Sequence, residues 1–375
     1  MAIIKSLEDA AALFPSFKEL NFLITLFSFL EKYGLLCVEV EFYIAILGLL
    51  LTLCHVFVLT RKPMMTSSII SIMIGMGIYD ALSMIFAISV KDLIYNFYRD
   101  ECTPPFTFAE FVIFLLLAHS RENMMRSSTW LGLVMALFRF LALRFASKPG
   151  ILKISKICYG FIAAFITFLV SCVLTFFNVF RSKLVESGKW TAGEKCNLEF
   201  DNDYIIYRQQ ISEVYNASNQ LLLRILTFVN AISTKVLIDE SLQFVNFSQI
   251  LPSLLLPIFT ILLIIEIRKA RKKITNASSH VQKRTDKTTY LVIFMTTTFF
   301  IASLPAGIFS LFQVMYSDEG FIYLSSLVDH FCSVILTVNA SVHCIICFVM
   351  STDYRKQTKM ILGIQPKKIN TNSIF

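Results

Sequence analysis

Charge is what this chain has least of. Only 16% of its 375 residues are Asp, Glu, Lys or Arg, against roughly 25% in an ordinary soluble domain. Glycine (12) and proline (9) are also sparse, which excludes collagen-like repeats and Gly/Pro-rich disordered chains. Nine cysteines in a chain of this length are too dilute for a disulfide framework. Catalytic signatures are missing too. There is no GxGxxG after a strand, no GxxxxGK(S/T), no HExxH and no GxSxG, so the sequence indicates no enzyme. His55, His119, His330 and His343 lack metal-ligand spacing and read as hydrogen-bonders inside a helix bundle. No period of repeat length and no duplicated half is present, which disfavours a transporter or channel built from inverted repeats.

What the chain has is apolar surface. Apolar residues make up 56% of it, with 36 phenylalanines. Its apolar runs reach the ~20 residues that span a bilayer. They are continuous rather than alternating, which argues against a β-barrel. The expected fold class is an all-α membrane protein. Seven spans are predicted, at about 38–60, 67–90, 106–145, 154–180, 247–267, 288–315 and 321–350. Residues 1–37 form an N-terminal segment. Met1 to Leu36 carries Glu8 and Asp9, and its apolar stretch Asn21 to Leu30 stops at Glu31, so it reads as amphipathic rather than as a signal peptide. A long polar loop occupies 181–242, and residues 351–375 hold a short amphipathic helix and a tail.

The third run is interrupted by the polar patch His119 to Ser128, and charge decides whether it is one span or two. With seven spans, one side receives twenty of the 34 basic residues, at 61–62, 139–156, 268–287 and 355–368. Its only acids are Glu266, Asp286 and Asp353. Basic residues mark cytoplasmic loops, so the N-terminus is predicted outside and the tail inside. An eight-span count would scatter that segregation. The net charge of +8 is therefore an inner-face excess and not a nucleic-acid signature. The cluster Arg268 to Lys273 is suited to anionic membrane lipid. Topology also sorts the glycosylation sequons. Asn216 and Asn246 fall outside and are candidate glycan sites, whereas Asn276 and Asn339 do not.

Ionisable residues within spans are costly and become functional candidates by default. Asp80 lies mid-span in the second run. Arg121, Glu122 and Arg126 interrupt the third, and Asp329 opens the seventh. Glu122 and Arg126 are spaced to pair on one helix face. Counting ~1.5 Å per residue from Arg139, both Arg121 and Arg126 fall in the outer half. Arg121, Glu122, Arg126 and Asp329 are the expected lining of a ligand cavity. For a ligand with a basic C-terminal dipeptide, Glu122 or Asp329 would supply the counter-charge.

Specific motifs carry the reading further. Ser128-Thr129-Trp130-Leu131 with Met135 to Arg139 resembles the inner third helix of FMRFamide-type peptide receptors. Leu256-Pro257-Ile258, Asp286-Lys287-Thr288-Thr289 leading to Ala302-Ser303-Leu304-Pro305, and Asn339-Ala340-Ser341 extend the likeness. With Thr60-Arg61-Lys62-Pro63-Met64, the ordered set resembles the nematode serpentine receptor class W (Srw), a rhodopsin-like G-protein-coupled receptor family, over roughly Tyr43 to Arg355. The resemblance implies a multi-pass receptor in the plasma membrane. It would bind a peptide, or alternatively a small environmental molecule, and activate a heterotrimeric G protein. It implies an ion and switch pocket at Asp80, Ser128 and Asn339, with a sodium ion as the one cofactor-like group. It also implies G-protein contact at Arg139, helix hinges at Pro257 and Pro305, and a bridge between Cys102 and Cys196. Thr352 to Leu362 matches an eighth helix, with Tyr354 and Ile361 as apolar anchors and Phe348 packed against them. The chain departs from the superfamily pattern at Thr52, Phe138, Phe140, Ser303, Ala340 and His343.

Overall fold

The computed structural model describes residues 11, 14, 20–97, 104–145, 155–180, 182–190, 204–211, 255–266, 268–269, 293–305, 308 and 319–364. Its helices are α1 (Leu20–Leu59), α2 (Ser68–Phe97), α3 (Phe108–Arg144), α4 (Ile157–Phe180), α5 (Leu255–Glu266), α6 (Ile293–Pro305), α7 (Glu319–Met350) and α8 (Thr352–Ile361). Within α1 to α4 and α7, five stretches are long and apolar enough to cross a membrane, and α5 and α6 are shorter apolar helices in their described parts. Cys102, Cys196, Asn216 and Asn246 lie outside the described residues.

The first helix begins well before the predicted span. Sequence reading set residues 1–37 apart, but α1 runs unbroken from Leu20. Leu23, Phe27 and Leu30 recur at helical spacing and are buried against Leu324, Leu327, Val328 and Cys332 of α7. That shared apolar stripe carries the helix through Glu31 and Lys32 with no proline to stop it.

The third helix is a single one. Thr107 caps it in a reciprocal box: its side chain accepts from the Glu110 amide, and the Glu110 carboxylate accepts from the Thr107 amide at 2.9 Å. The polar patch does not break it, because hydroxyls fold back on their own helix. Ser127 Oγ donates to the Asn123 carbonyl (2.8 Å) and Thr129 Oγ1 to that of Met125 (2.9 Å).

The helices pack α7 on α1, α1 on α2, α2 on α3, and α4 on α2 and α3. Glycines permit two close crossings. A Cβ at Gly48 of α1 would meet Ser341 Oγ of α7 at 2.1 Å, and one at Gly160 of α4 would meet the Ser68 carbonyl of α2 at 2.4 Å. Ile72, Met76, Leu131, Met135, Leu256, Leu263, Met295 and Phe299 build the central core. Leu47, Leu50 and Phe57 on α1, and Phe165, Ile166 and Phe176 on α4, point outward and are exposed, as expected of faces solvated by lipid tails.

The all-helical expectation needs one addition. The loop after α4 contains an antiparallel hairpin, β1 (Ser182–Lys189) with β2 (Ile205–Ile211), irregular between Glu186 and Gly188. Gly188 sits there at φ 144°, a conformation that suits glycine at such a kink. Trp190 and Tyr204 meet edge-on at 5.9 Å and extend the pairing by one backbone bond.

Helix α8 starts at Ser351, whose side chain accepts from the Tyr354 amide, and Gly363 follows its end at φ 71°. Tyr354 is buried beneath the bundle, but Ile361 and Phe348 are exposed, so the expected apolar clasp is replaced by a polar one. The Tyr354 hydroxyl lies 3.0 Å from His55 Nδ1 of α1 and 3.5 Å from Cys344 Sγ. Cys347 is buried in the core and Cys344 packs against it.

Candidate functional site

Two polar centres sit inside the bundle. The inner one is a small cavity of about 20 Å3 between α2, α3, α6 and α7. That is room for a single water-sized guest. Asp80, Ser83, Ser128 and Thr129 supply its polar wall, and Phe299, Leu336 and Ala340 much of its apolar wall. Asp80 is 5% exposed, a carboxylate deep in an apolar bundle that demands compensation. His343 of α7 comes near, with Nδ1 3.3 Å from Asp80 Oδ2, but that oxygen accepts no hydrogen bond among the described residues. The other ring nitrogen, Nε2, lies 3.4 Å from Asn339 Nδ2. The imidazole also rests on Phe299 of α6, with ring centroids 4.9 Å apart. Ser83 Oγ donates to the Asp80 carbonyl at 2.8 Å. Ser128 Oγ is buried with no hydrogen-bond partner among the described residues.

The donor set suits a small hard cation. Asp80 and the oxygens of Ser83, Ser128 and Thr129 would hold it, and two of these atoms, Asp80 Oδ2 and Ser128 Oγ, are buried without a hydrogen-bond partner among the described residues. Such an ion supplies a positive charge that balances a buried carboxylate. Neither Asn339 nor His343 lines the cavity; Asn339 meets the His343 ring, which in turn lies beside Asp80.

The outer centre is an ionic knot across three helices. Arg121 Nη2 of α3 donates to Glu41 Oε1 of α1, and both side chains are largely buried, 12% and 5% exposed. The same Glu41 oxygen accepts from Thr337 Oγ1 of α7 at 2.8 Å. Thr337 also lines the inner cavity. One side chain thus joins the outer knot to the wall around Asp80.

The expected ligand-lining residues make contacts in different directions. Arg121 turns toward α1. Arg126 turns the other way, donating to Glu122 on its own helix and to Thr175 Oγ1 of α4 at 3.0 Å. His119 Nδ1 approaches Glu122 at 3.8 Å. Asp329 is exposed and makes no ion pair among the described residues, but it lies within electrostatic reach of both Glu122 and Arg121. At the inner end, Arg139 is half-buried in α3. One turn on, Arg144 Nη1 pairs with Glu266 of α5 at 3.0 Å, and Lys269 joins the same carboxylate at 3.4 Å. Pro257 lies in the first turn of described α5 and Pro305 is the last residue of α6. Thr260 and Thr296 link those two helices hydroxyl to hydroxyl at 3.2 Å.

Sequence reading missed Glu41 and undervalued His343. Glu41 lies inside the predicted first span, so the rule that selected Asp80 would also have selected it. His343 reads as a hydrogen-bonder inside the bundle and as a departure from the superfamily pattern, with no partner assigned to it. No residue spacing announces that it and Asp80, on different helices, meet.

Comparison with known proteins agrees with this architecture. The family model described as serpentine type 7TM GPCR chemoreceptor Srw matches residues 39–365. The Caenorhabditis elegans protein named G-protein coupled receptor dmsr-1 is 23% identical over 325 residues, which cover 75% of this chain. The chain spans 59% of that relative's length. A match over nearly the whole bundle, on a chain whose buried charges tie α1, α2, α3 and α7 together, leads to one conclusion: the chain belongs to the Srw family of serpentine seven-transmembrane G-protein-coupled chemoreceptors, and is a multi-pass membrane receptor rather than an enzyme.

Proposed function

We propose that the protein is a plasma-membrane receptor for a charged peptide, and that ligand binding at its outer half drives a heterotrimeric G protein at its inner face. The observation that carries this reading is the buried Glu41–Arg121 pair with Thr337. A buried ion pair favours a ligand that brings charge of its own, because such a ligand can replace one partner without leaving the other bare. An apolar odorant has nothing to exchange. Release of Glu41 would free Thr337, and Thr337 borders the cavity at Asp80. A ligand can shift the bundle only through such differential contacts. At the inner face, Arg139 is the residue assigned to the G protein, and Pro257 and Pro305 are the hinges of α5 and α6. N-terminus outside and α8 inside is the orientation that goes with these roles, and the segments at 1–37, 38–350 and 351–375 are its outer, spanning and inner parts. A bridge between Cys102 and Cys196, and glycans at Asn216 and Asn246, complete the outer side.

The second reading is a receptor for a small environmental molecule, favoured by the family description as chemoreceptors. Peptide panels on cells expressing Glu41→Gln, Glu122→Gln and Asp329→Asn separate the two. Under the peptide reading, at least one variant loses about tenfold or more in potency for basic peptides while keeping its response to neutral ones. Unchanged potency in all three removes the charged-peptide reading.

A further inference from the structure

The outward face of α1 carries a regular pattern that the bundle leaves unused. Phe22, Phe29, Leu36, Tyr43, Leu50 and Phe57 recur every seven residues, and all six are 49–62% exposed. A second row runs beside them in the same step, from Leu26 to Cys54, so that the two rows alternate at spacings of three and four. In this register the sequence meets a charge only at Glu19 and at Arg61, one on each side of Leu20–Leu59. Such spacing is what two parallel helices need to cross left-handedly with interlocked side chains. The opposite face of α1, with Phe27, Glu41 and Gly48, is the one packed on α7. Lipid accounts for only part of the outward face. The apolar span of α1 is Leu36–Leu59. At ~1.5 Å per residue, Phe29 stands about 10 Å beyond Leu36 along the helix, and Phe22 about 21 Å. The headgroup layer is only about 5–8 Å deep, so acyl chains do not reach these rings. Phe22 is nevertheless 62% exposed and Phe29 52%.

We propose that this face of α1 is the contact surface for a second copy of the receptor, paired about a two-fold axis along the membrane normal. Two copies in one membrane share their orientation, so their α1 helices meet in parallel, each row residue against its own counterpart. The area is sufficient. Eight large side chains of the two rows are at least 41% exposed. At about 90 Å2 apiece, they bury roughly 1,400 Å2 over the two copies, inside the ~1,200–2,000 Å2 of a standard stable interface. Pairing buries no charge, because none lies on the rows. It also covers the two phenylalanines that stand beyond the lipid. The pairing is independent of which ligand the outer half binds.

The test uses the full-length receptor and needs neither agonist nor G protein, so a failed ligand screen leaves it standing. Fluorescently tagged receptor is reconstituted into phosphatidylcholine vesicles over a range of protein-to-lipid ratios, and photobleaching steps count the copies in each complex. The wild type is expected to form dimers. Phe22→Glu and Phe22→Lys change an exposed position outside the span and set like charges face to face. Each should weaken the dimer about tenfold or more. The two variants mixed in equal amounts should pair as the wild type does, which requires residue 22 to meet residue 22. In cell membranes, oxidation with copper phenanthroline should cross-link Tyr33→Cys above the wild-type background. Ser28→Cys, exposed but off both rows, should stay at that background. A wild type that is monomeric at every ratio overturns the proposal and leaves the face to lipid or to another protein. So does a dimer that ignores both charges, a mixture that fails to pair, or equal cross-linking at positions 28 and 33. Should the charge variants not fold, the wild-type count and the two cysteine variants decide by themselves.

Discussion

A double-mutant cycle on Glu41 and Arg121 asks whether the outer knot is an energetic unit. Glu41→Gln keeps the volume and still accepts from Thr337 Oγ1, so it removes little besides the charge. It leaves the Arg121 guanidinium, only 12% exposed, without its counter-ion. In water-soluble proteins, stripping one partner from a buried pair costs about 3–5 kcal/mol. In membranes, polar couplings measured between helices average only about 0.6 kcal/mol and peak near 1.7, because the unfolded state in lipid finds partners too. A full ion pair with a second hydrogen bond belongs at the upper end of that scale. The expected coupling is about 1–3 kcal/mol. The four proteins, wild type, Glu41→Gln, Arg121→Gln and the double variant, are unfolded by denaturant in bicelles. Single variants should each be destabilised, and the double variant should lose less than their sum. Additivity within about 0.5 kcal/mol would show that the two residues do not act as a pair. Thr337→Val then probes the link inward. It leaves the pair intact and should change ligand-free nucleotide exchange, because Thr337 lines the Asp80 cavity. No change in exchange would sever the two centres.

Other outcomes follow from the same structure. Arg139→Ala should abolish agonist-driven nucleotide exchange while surface expression stays normal; persistent signalling would reduce Arg139 to a topology residue. Tyr354→Phe should loosen α8, since it leaves His55 Nδ1 buried without its 3.0 Å partner, a loss of about 1–3 kcal/mol. Amide exchange across Thr352 to Ile361 should speed up, and unchanged exchange would contradict the clasp. Burial pushes the Tyr354 phenol up, so the folded state holds its proton after the unfolded chain, at a pKa of ~10, has begun to release it. Stability should be flat below that pH and fall as pH rises past it, and Tyr354→Phe should blunt the fall. Peptide mapping without reduction should join Cys102 to Cys196, and two free thiols would remove that bridge.

The solvent and the helical class were legible from composition, because lipid demands continuous apolar runs and leaves no ambiguity of period. The limits expected near 106 and 352 fall close to caps that the structure shows, the Thr107–Glu110 box and Ser351. The start at Leu20 was not legible, because the end of the membrane span and the end of the helix differ where Leu23, Phe27 and Leu30 find a partner in α7. Among the candidate residues, Glu122 and Arg126 were legible as a pair because they share a helix face. Arg121 was legible as costly but its partner was not. Glu41 lies on another helix, and no local pattern records which faces meet. The same applies to His343 and Asp80. Intramembrane charge flags half of each contact, and tertiary packing supplies the other half.

Under the proposed function, a peptide acting on the outer half activates a G protein through this bundle. The most direct test is guanine-nucleotide exchange on heterotrimeric G protein by the purified receptor in lipid nanodiscs. The receptor is challenged with a tissue extract before and after protease digestion. Exchange is expected with the untreated extract, is lost on digestion, and is absent in Arg139→Ala. Exchange that survives digestion would contradict the peptide reading, and exchange that survives Arg139→Ala would contradict the route by which the signal leaves the bundle.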